Sequence, residues 1–447
     1  MESKLFAPVR LGALSPKNRV VMAPLTRCRA DNPEAAPTAL MARYYAQRAG
    51  AGLIISEGTI VSPQARGYPY TPGIWSDAQV AGWRLVTDAV HQAGGLIACQ
   101  IWHCGRLSLP DFHCGELPVA PSAINPDWRM FSGEGLKPTV TPRALSREEI
   151  AGIVADFRRA ARNAVAAGFD GIEIHSSNGY LFHQFFSRCS NTRTDEYGGS
   201  RENRGRFLFE VLDAVGRELP FDRVGIRLNP MMNGMHGMTV DEDTAPMFES
   251  LIHRANDYRL AYVHLTEPFM PNQLEGAVGA LAEVARHFRP LCQAPLLING
   301  GFDQARAEAW LAENWCDAVA FGKLFIANPD LPERFRRGAP LNPPESGHVL
   351  SGRREGLRGL SGLGGGDLKR SAESYLSVYL CRYRPAGPVP RRSCNLTARP
   401  LRTAQRRRNP PEGGGWQSSL KDFKRAALTS SNMHSAKDRI FACTDMM

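Results

Sequence analysis

The sequence predicts a closed barrel of eight parallel strands surrounded by helices, the TIM or (β/α)8 barrel. Short runs of β-branched and other apolar residues alternate with segments of helical periodicity, which is the pattern of repeated βαβ units. Eight such runs can be counted, and none is followed by the glycine-rich turn of a doubly wound dinucleotide-binding sheet. The 447 residues accommodate one barrel of about 250 residues or more together with an appendage.

The predicted strands and helices alternate along the chain up to about residue 321. Three helices begin at a residue suited to N-capping, namely Asp77, Ser146 and Asp303, and Glu149 completes a capping box with Ser146. The predicted strands are Arg19–Leu25, Gly52–Glu57, Leu96–Ile101, Gly171–Ile174, Val224–Leu228, Tyr262–Leu265, Pro295–Ile298 and Ala318–Phe321. The predicted helices are Thr38–Ala49, Asp77–Gln92, Ser146–Ala167, Arg201–Arg217, Asp241–Asn256 and Asp303–Glu313.

Two segments depart from this alternation. The connection Cys104–Ser146 is rich in Pro and Gly and has no helical period, which in a barrel predicts a lid over the functional face. From Glu345 to Met447 the sequence has Gly-rich, Pro/Arg-rich and Arg-run pieces without sustained periodicity. We therefore expect a barrel domain over residues 1–344 and a basic, largely disordered C-terminal tail over residues 345–447.

The charge of the chain is unevenly distributed. The formal net charge is +10, but residues 345–447 hold 19 Lys and Arg against 8 Asp and Glu, whereas residues 1–344 hold 35 against 36. The basic character thus belongs to the tail, and a solvated Arg run is a simpler interpretation than a nucleic-acid clamp. We expect no nucleic-acid partner for the barrel.

Cysteine usage and the N-terminal sequence point to a cytoplasmic protein. The ten cysteines are scattered, with no C-x-x-C pair and no histidine spacing typical of a zinc site, so we expect reduced thiols and no metal. Residues 1–12 lack the apolar core of a signal peptide, and no run of about 18 apolar residues occurs. We therefore expect neither export nor a membrane partner.

Polar side chains collect where the predicted strands end. In a TIM barrel the functional residues come from the carboxyl ends of the strands, which all lie at one face. At these positions the chain has Thr26, Gln100, Trp102, the run His175–Tyr180, and Arg227. So many hydrogen-bonding groups at one face predict a bound polar ligand.

Glycines follow the seventh and eighth strands. Gly300 and Gly301 come after one of them, and Gly322 and Lys323 come after the other. TIM barrels commonly bind a phosphate at these loops, where backbone N–H groups approach closely and a cation balances the charge. Lys323 can be that cation.

Five motifs, in order along the chain, resemble the signatures of the Old Yellow Enzyme family. They resemble in particular the branch of bacterial enone and nitrate-ester reductases and plant oxophytodienoate reductases. Thr26 favours this branch, because a second branch of the family has Cys at that position. The motifs are Val21–Arg27, Gln100–Arg106, His175–Tyr180, Arg193–Ser200 and Ile326–Leu331.

The resemblance implies a tightly but noncovalently bound FMN. It implies that Thr26 donates to the flavin O4, that Gln100 bonds the pyrimidine edge, and that Arg227 places positive charge near N1 and O2. Backbone amides near Gly301 and Gly322, together with Lys323, would hold the phosphate. The implied flavin-binding residues are Ala23, Pro24, Leu25, Thr26, Gly58, Gln100, Arg227, Gly300, Gly301, Phe321, Gly322 and Lys323.

The resemblance also implies a set of residues for catalysis and substrate binding. His175 and Asn178 would donate to the carbonyl oxygen on which negative charge develops. Tyr180 would deliver a proton to the α-carbon as general acid, because a tyrosine hydroxyl keeps its proton at neutral pH. Trp102 and Tyr68 are further candidates for contact with the substrate.

The function implied is an FMN-dependent ene-reductase that oxidises NADPH or NADH and reduces the C=C bond of α,β-unsaturated carbonyls. Nitro compounds or nitrate esters are further possible substrates, and the protein is expected to be a monomer or a homodimer. Two departures from the family are noted. Lys323 stands where relatives more often have Arg, and residues from Glu345 onward lack the aromatic segment with which relatives close the barrel.

The atypical tail leaves two alternatives open. The first is an FMN-binding product whose altered C-terminus impairs turnover. The second is a nucleic-acid-binding protein that acts through residues 345–447.

Overall fold

The predicted barrel is confirmed in the computed structural model, which describes residues 3–269, Gln273 and residues 281–343. Eight strands pair in parallel and in sequence order around a closed sheet. A two-residue strand, Thr59–Ile60, adds a short pairing to the third strand. The barrel strands are β1 Val20–Met22, β2 Leu53–Ile55, β3 Ile97–Trp102, β4 Gly171–His175, β5 Val224–Leu228, β6 Tyr262–Thr266, β7 Leu296–Asn299 and β8 Ala318–Phe321.

The first strand closes the barrel. On one side Val20 pairs with Val319 of β8, and on the other Val21 pairs with Leu53 of β2. Because every pairing between the eight strands is parallel, all their carboxyl ends lie at the same face. Residues far apart in sequence, such as those after β1 and those after β8, therefore become neighbours at that face.

Alternation along the strands separates two apolar cores. Val21 and Leu53 belong to a small cluster inside the barrel, whereas Val20 and Ile54 belong to the large cluster between strands and helices. Successive side chains of a strand point to opposite faces, so one short apolar run supplies both cores. Polar residues at inward positions consequently stand out.

The predicted helices form, and most of their ends are shorter than predicted by one to three residues. Ser146 and Glu149 make the predicted capping box, and the Asp303 side chain accepts from the backbone N–H of Arg306. The helices are α1 Ala39–Ala46, α2 Asp77–Gln92, α3 Arg147–Ala166, α4 Leu181–Phe186, α5 Arg201–Val215, α6 Thr244–Ala255, α7 Val284–Phe288, α8 Gln304–Ala312, α9 Lys323–Ala327 and α10 Leu331–Arg337.

The prediction of Asp77 as a helix cap was wrong. Ser76 is the N-cap of α2, and its hydroxyl accepts from the backbone N–H of Gln79. The Gln79 side chain bonds back to the backbone of the cap, which completes a capping box. Asp77 is instead the first helical residue, where a negative charge is favourable at the positive end of the helix dipole.

The long connection Cys104–Ser146 lies against the loop that follows β5. Arg106 donates to the carbonyl oxygen of Gly237 at 3.0 Å and to that of Ile124 at 3.2 Å, so its guanidinium joins the two loops. Trp128 packs edge-on against His236 with ring centroids 5.2 Å apart. These contacts hold the connection against the loop after β5, and its role as a lid stays a prediction.

The predicted tail, residues 345–447, lies outside the described residues, and the domain boundary at residue 344 stays a prediction. Within the described ranges, no helix has the length and apolar character needed to cross a membrane. The seven cysteines in these ranges are all free thiols.

Glu57, just after β2, is a carboxyl group buried beside the loop that follows β1. Its carboxylate accepts from the backbone N–H of Arg27 and from the Tyr45 hydroxyl, each at 3.2 Å. Burial raises the pKa of Glu57 to about 7, although these hydrogen bonds and the charge of Arg27 oppose the shift. Its carboxyl group therefore titrates near neutral pH in the folded protein and well below it in the unfolded chain.

Replacement of Glu57 by Gln should change stability in a pH-dependent way. The folded pKa is raised, so the stability associated with the protonated carboxyl is present at low pH and is lost as pH rises through about 7. Wild type should lose up to about 3 kcal/mol relative to Glu57→Gln between pH 5 and pH 8. Urea unfolding at the two pH values measures this; a difference that stays constant contradicts it.

Candidate active site

A cavity of about 340 Å³ opens at the carboxyl-end face of the barrel. It lies where the loops after β1, β5, β6, β7 and β8 meet. Its lining residues are Ala23, Pro24, Leu25, Asn178, Arg227, Asn229, Thr266, Phe269, Asn299, Gly300, Gly301, Phe302, Asp303, Ala320, Phe321, Gly322, Lys323 and Leu324.

Nine of the twelve predicted flavin-binding residues line this cavity. The other three, Thr26, Gly58 and Gln100, are buried at neighbouring strand ends and do not line it. Of the predicted catalytic and substrate residues, Asn178 alone lines it. The structure thus places most of the predicted flavin-binding residues around one cavity. Most of the predicted catalytic and substrate residues form a second group outside its lining.

Arg227 brings a buried positive charge to the cavity. Its guanidinium is almost fully buried, and its Nε atom has no hydrogen-bond partner within the described residues. Burial lowers the pKa of Arg227, and the charge of Glu173 opposes that shift. A buried donor of this kind fits an acceptor on a ligand in the cavity.

Glycines and one lysine after β7 and β8 also line the cavity. Gly300 and Gly301 have φ angles of +127° and +64°, which a side chain would strain. A Cβ on Gly300 would lie 2.5 Å from the carbonyl oxygen of Glu267. Lys323 begins α9 beside Gly322 and is half-buried, and burial lowers its pKa.

Four aromatic side chains form a box next to the cavity: Tyr68, Trp102, His175 and Tyr180. Trp102 stacks on Tyr68 and on His175, each with ring centroids 5.7 Å apart, and it meets Tyr180 edge-on at 4.7 Å. The hydroxyls of Tyr68 and Tyr180 are 3.1 Å apart. Trp102 therefore contacts the other three residues of the box, all of which were predicted for catalysis or substrate contact.

Gly58 allows Trp102 to take this position. A Cβ built on Gly58 would lie 2.3 Å from the Cε3 atom of the Trp102 ring. A side chain there would displace the indole from the aromatic box. In the structure Gly58 therefore contacts the box, a role that the sequence did not indicate.

His175 is the last residue of β4, and Asn178 lies in the turn that follows. The His175 Nδ1 atom lies 3.1 Å from the Ser177 hydroxyl. Burial lowers the pKa of His175 well below its ordinary value, and the charge of Arg227 adds to the effect, so the imidazole is neutral. Asn178 adopts a left-handed conformation with φ of +57°, which Asn tolerates better than most residues.

Two residues that the sequence analysis did not select hold Asn178 in place. Asn229 donates from its amide nitrogen to the Asn178 side-chain oxygen at 2.9 Å, and His236 Nδ1 lies 2.8 Å from the Asn178 carbonyl oxygen. The oxygen of the Asn178 amide is thus turned to Asn229, and its nitrogen is turned the other way. The sequence signalled only their place in the loop after β5.

The residues present fit a flavin mononucleotide. The cavity is lined by the guanidinium of Arg227, by the glycine backbone after β7 and β8, and by the ammonium group of Lys323. A flavin ring system has a polar pyrimidine edge, and the phosphate of the mononucleotide requires N–H donors and a cation. The fold and the cavity therefore define a flavin-binding (β/α)8 barrel.

Comparison with known proteins agrees with this class. Residues 4–342 match the NADH:flavin oxidoreductase / NADH oxidase family. A 12-oxophytodienoate reductase 1 from Oryza sativa subsp. japonica is 44% identical over 343 residues, covering 76% of this chain and 87% of the relative. A 12-oxophytodienoate reductase 2 from Arabidopsis thaliana is 41% identical over 341 residues, covering 76% and 90%.

Solved structures are similar over the same region. Morphinone reductase is 48% identical and matches with a TM-score of 0.75 over 80% of this chain and 96% of that chain. An Old Yellow Enzyme homologue from Zymomonas mobilis is 41% identical, with a TM-score of 0.75 over 79% and 98%.

The chain belongs to the NADH:flavin oxidoreductase / NADH oxidase family, which confirms the resemblance to the Old Yellow Enzyme family. It is an oxidoreductase of the flavin-dependent ene-reductase type. The matches favour this function over the two alternatives that the basic tail raised.

The contact between Asn229 and Asn178 predicts a larger loss of binding in one variant than in another. Asn229→Asp has only acceptor oxygens, so the Asn178 amide should turn its nitrogen toward residue 229 and its oxygen toward the aromatic box. Asn229→Ala leaves the amide unfixed. The affinity for a nonreactive phenol can be measured from the change that its binding causes in the flavin absorbance. This affinity should fall about tenfold in Asn229→Asp and by less in Asn229→Ala. Equal affinities in both variants would contradict the orientation.

Proposed function

We propose that this chain uses NADPH or NADH and a noncovalent FMN to reduce the C=C bond of α,β-unsaturated carbonyl compounds. One observation carries the proposal: two hydrogen-bond donors, His175 and Asn178, and one hydroxyl acid, Tyr180, converge beside the cavity that fits the flavin. Such an arrangement can bind a carbonyl oxygen and protonate the carbon next to it.

When bound, FMN supplies the hydride that adds to the β-carbon of the alkene. The residues proposed to hold it are the twelve implied by the family resemblance. Arg227 would face the pyrimidine edge, where its buried charge favours the reduced, anionic form. The glycine backbone after β7 and β8, with Lys323, would hold the phosphate.

His175 and Asn178 are proposed to bind the carbonyl oxygen. If the Ser177 hydroxyl donates to Nδ1 of the neutral His175, the hydrogen of the imidazole is on Nε2, which is then a donor. The Asn178 amide nitrogen is turned away from Asn229 and is a second donor. Both donors are fixed before substrate binds, so little reorganisation is needed as charge develops on the oxygen.

Tyr180 is proposed to deliver the proton to the α-carbon. Its hydroxyl lies 3.1 Å from that of Tyr68, so Tyr68 can orient it and share in its reprotonation. Both hydroxyls are buried among aromatic rings, which excludes water from competing in the transfer. One hydride and one proton then complete the saturated bond.

The aromatic box favours a flat, largely apolar substrate such as a cyclic enone. Trp102 would support such a substrate by holding the rings of Tyr68 and His175 in place. Morphinone reductase has been solved in complex with tetrahydroNAD, which supports a nicotinamide coenzyme for this chain as well. Nitro compounds and nitrate esters, a cytoplasmic location and a monomeric or homodimeric state remain part of the proposal.

Tyr180→Phe should separate the two half-reactions. Loss of the acid should slow alkene reduction about a hundredfold or more, while reduction of the flavin by NADPH should continue at nearly the wild-type rate. Stopped-flow absorbance at the flavin band measures each half-reaction with cyclohexenone and NADPH.

The matched control is Tyr197→Phe, which removes a hydroxyl that bonds Glu210 on the outer layer of helices at 2.9 Å. It should leave both half-reactions unchanged. Equal slowing of both half-reactions in Tyr180→Phe would argue against the assigned role.

Lys323 should matter for FMN and not for riboflavin. Lys323→Ala removes the cation proposed for the phosphate, so FMN should bind about tenfold to a hundredfold more weakly. A loss of this size corresponds to the free energy of about 1.5–3 kcal/mol that is typical of a hydrogen bond to a charged group. Lys323→Arg should keep the affinity. Titration of the apoprotein with FMN and with riboflavin, which lacks the phosphate, tests this; equal losses for both ligands would exclude a phosphate role.

A further inference from the structure

Inside the barrel, below the proposed flavin site, lie two buried ionisable side chains that the proposed chemistry does not use. Glu173 on β4 and His264 on β6 are both fully buried, and they flank β5, which carries Arg227. The His264 Nδ1 atom is 2.9 Å from Glu173 Oε2, and Gln100 donates from Nε2 to Glu173 Oε1 at 2.7 Å. Both carboxylate oxygens are therefore engaged.

Asn299 at the end of β7 continues this set of contacts to Arg227. The orientation of its amide that satisfies its neighbours has the oxygen 3.3 Å from Arg227 Nη2 and the nitrogen 3.2 Å from His264 Nε2. In that orientation the nitrogen also faces the Thr266 hydroxyl at 2.9 Å. A continuous path thus runs from Arg227 through Asn299, His264 and Glu173 to Gln100.

The donors of Arg227 fix every proton along this path. A guanidinium can only donate, so Asn299 must present its oxygen to Arg227 and its nitrogen to His264. Nε2 of His264 must then accept, which places the imidazole hydrogen on Nδ1, where it is donated to Glu173. Burial lowers the pKa of His264, so the ring is neutral, in keeping with this tautomer.

The path ends at Gln100 with a defined orientation. Because a carboxylate oxygen accepts hydrogen bonds, Gln100 directs its amide nitrogen to Glu173. Its amide oxygen is then turned elsewhere. The two residues proposed for the pyrimidine edge, Gln100 and Arg227, are therefore linked through the same buried carboxylate, which orients Gln100.

We propose that Glu173, acting through His264 and Asn299, is a positioning residue that sets the relative affinity of the site for oxidised and reduced flavin. The inference rests on the proposed function, since it assumes that FMN occupies the cavity next to Arg227. Glu173 acts in two ways: it orients Gln100, and its negative charge partly balances that of Arg227 in an environment where charges are poorly screened.

The sign of the charge effect follows from the reduced flavin being anionic near N1 and O2. A negative carboxylate close to Arg227 reduces the net positive potential at that edge. Replacing Glu173 by the neutral Gln removes this opposition, so the reduced form should gain affinity relative to the oxidised form. The amide of Glu173→Gln has one oxygen and one N–H group, whereas Gln100 and His264 each need an oxygen acceptor. One of these two hydrogen bonds is therefore lost, and the orientation of Gln100 is disturbed.

The test is the midpoint potential of the flavin in holoenzyme carrying Glu173→Gln. The ratio of affinities for reduced and oxidised FMN should rise at least tenfold, which corresponds to about 30 mV upward for a two-electron couple. The matched control is Glu210→Gln, the same exchange in the outer helix α5, which should leave the potential unchanged. A potential equal to wild type in Glu173→Gln, with FMN bound, overturns the inference.

A second measurement on the wild-type protein needs no variant. Proton–nitrogen correlation spectra of histidine-labelled holoenzyme should show His264 as the neutral Nδ1–H tautomer between pH 6 and pH 8, with Nε2 as an acceptor nitrogen. An Nε2–H tautomer or a protonated ring would overturn the path even if Glu173→Gln does not fold. Failure of wild type to bind FMN would instead defeat the proposed function.

Discussion

Closure of the barrel between the first and last strands is the constraint on which the rest of the structure depends. β1 pairs on one side with β2 and on the other side with β8. β8 lies at the opposite end of the barrel sequence. This pairing places Pro24 and Leu25 beside Gly322 and Lys323 around one cavity. Without it, the two ends of the proposed flavin site would lie on separate edges of an open sheet.

Closure also creates an interior in which side chains are fully buried, and this determines how polar residues behave there. Glu173 and His264 are hydrogen-bonded to each other, to Gln100 and to Asn299. A buried polar set of this kind is costly unless every member is paired, and when paired it fixes orientations closely. The same interior that disfavours charge thereby orients the groups at the face above it.

Much of this arrangement could be predicted from the sequence because it depends on regular patterns. The barrel was predicted from the periodicity of its strands. The residues that line the cavity or form the aromatic box were predicted from the position of polar residues after strands. The bounds of α2 were predicted correctly, but its N-cap was misassigned because Ser76 and Asp77 can both cap a helix, and only the contact with Gln79 distinguishes them. The tail remains a sequence prediction.

What the sequence did not indicate depends on contacts across the barrel. Asn229 and His236 lie in a loop, and their role follows from their approach to Asn178, a residue about fifty positions earlier. Glu173 and His264 did carry a signal, since each is a polar residue in the middle of an apolar strand. Their pairing, however, requires the register of β4, β5 and β6 to be known.

The carboxyl ends of the barrel strands are proposed to hold one FMN together, so the flavin content of the purified protein is the decisive measurement. The protein should be yellow and should release one equivalent of FMN per chain on denaturation, with no flavin left covalently attached. A colourless protein that fails to take up added FMN would refute this site.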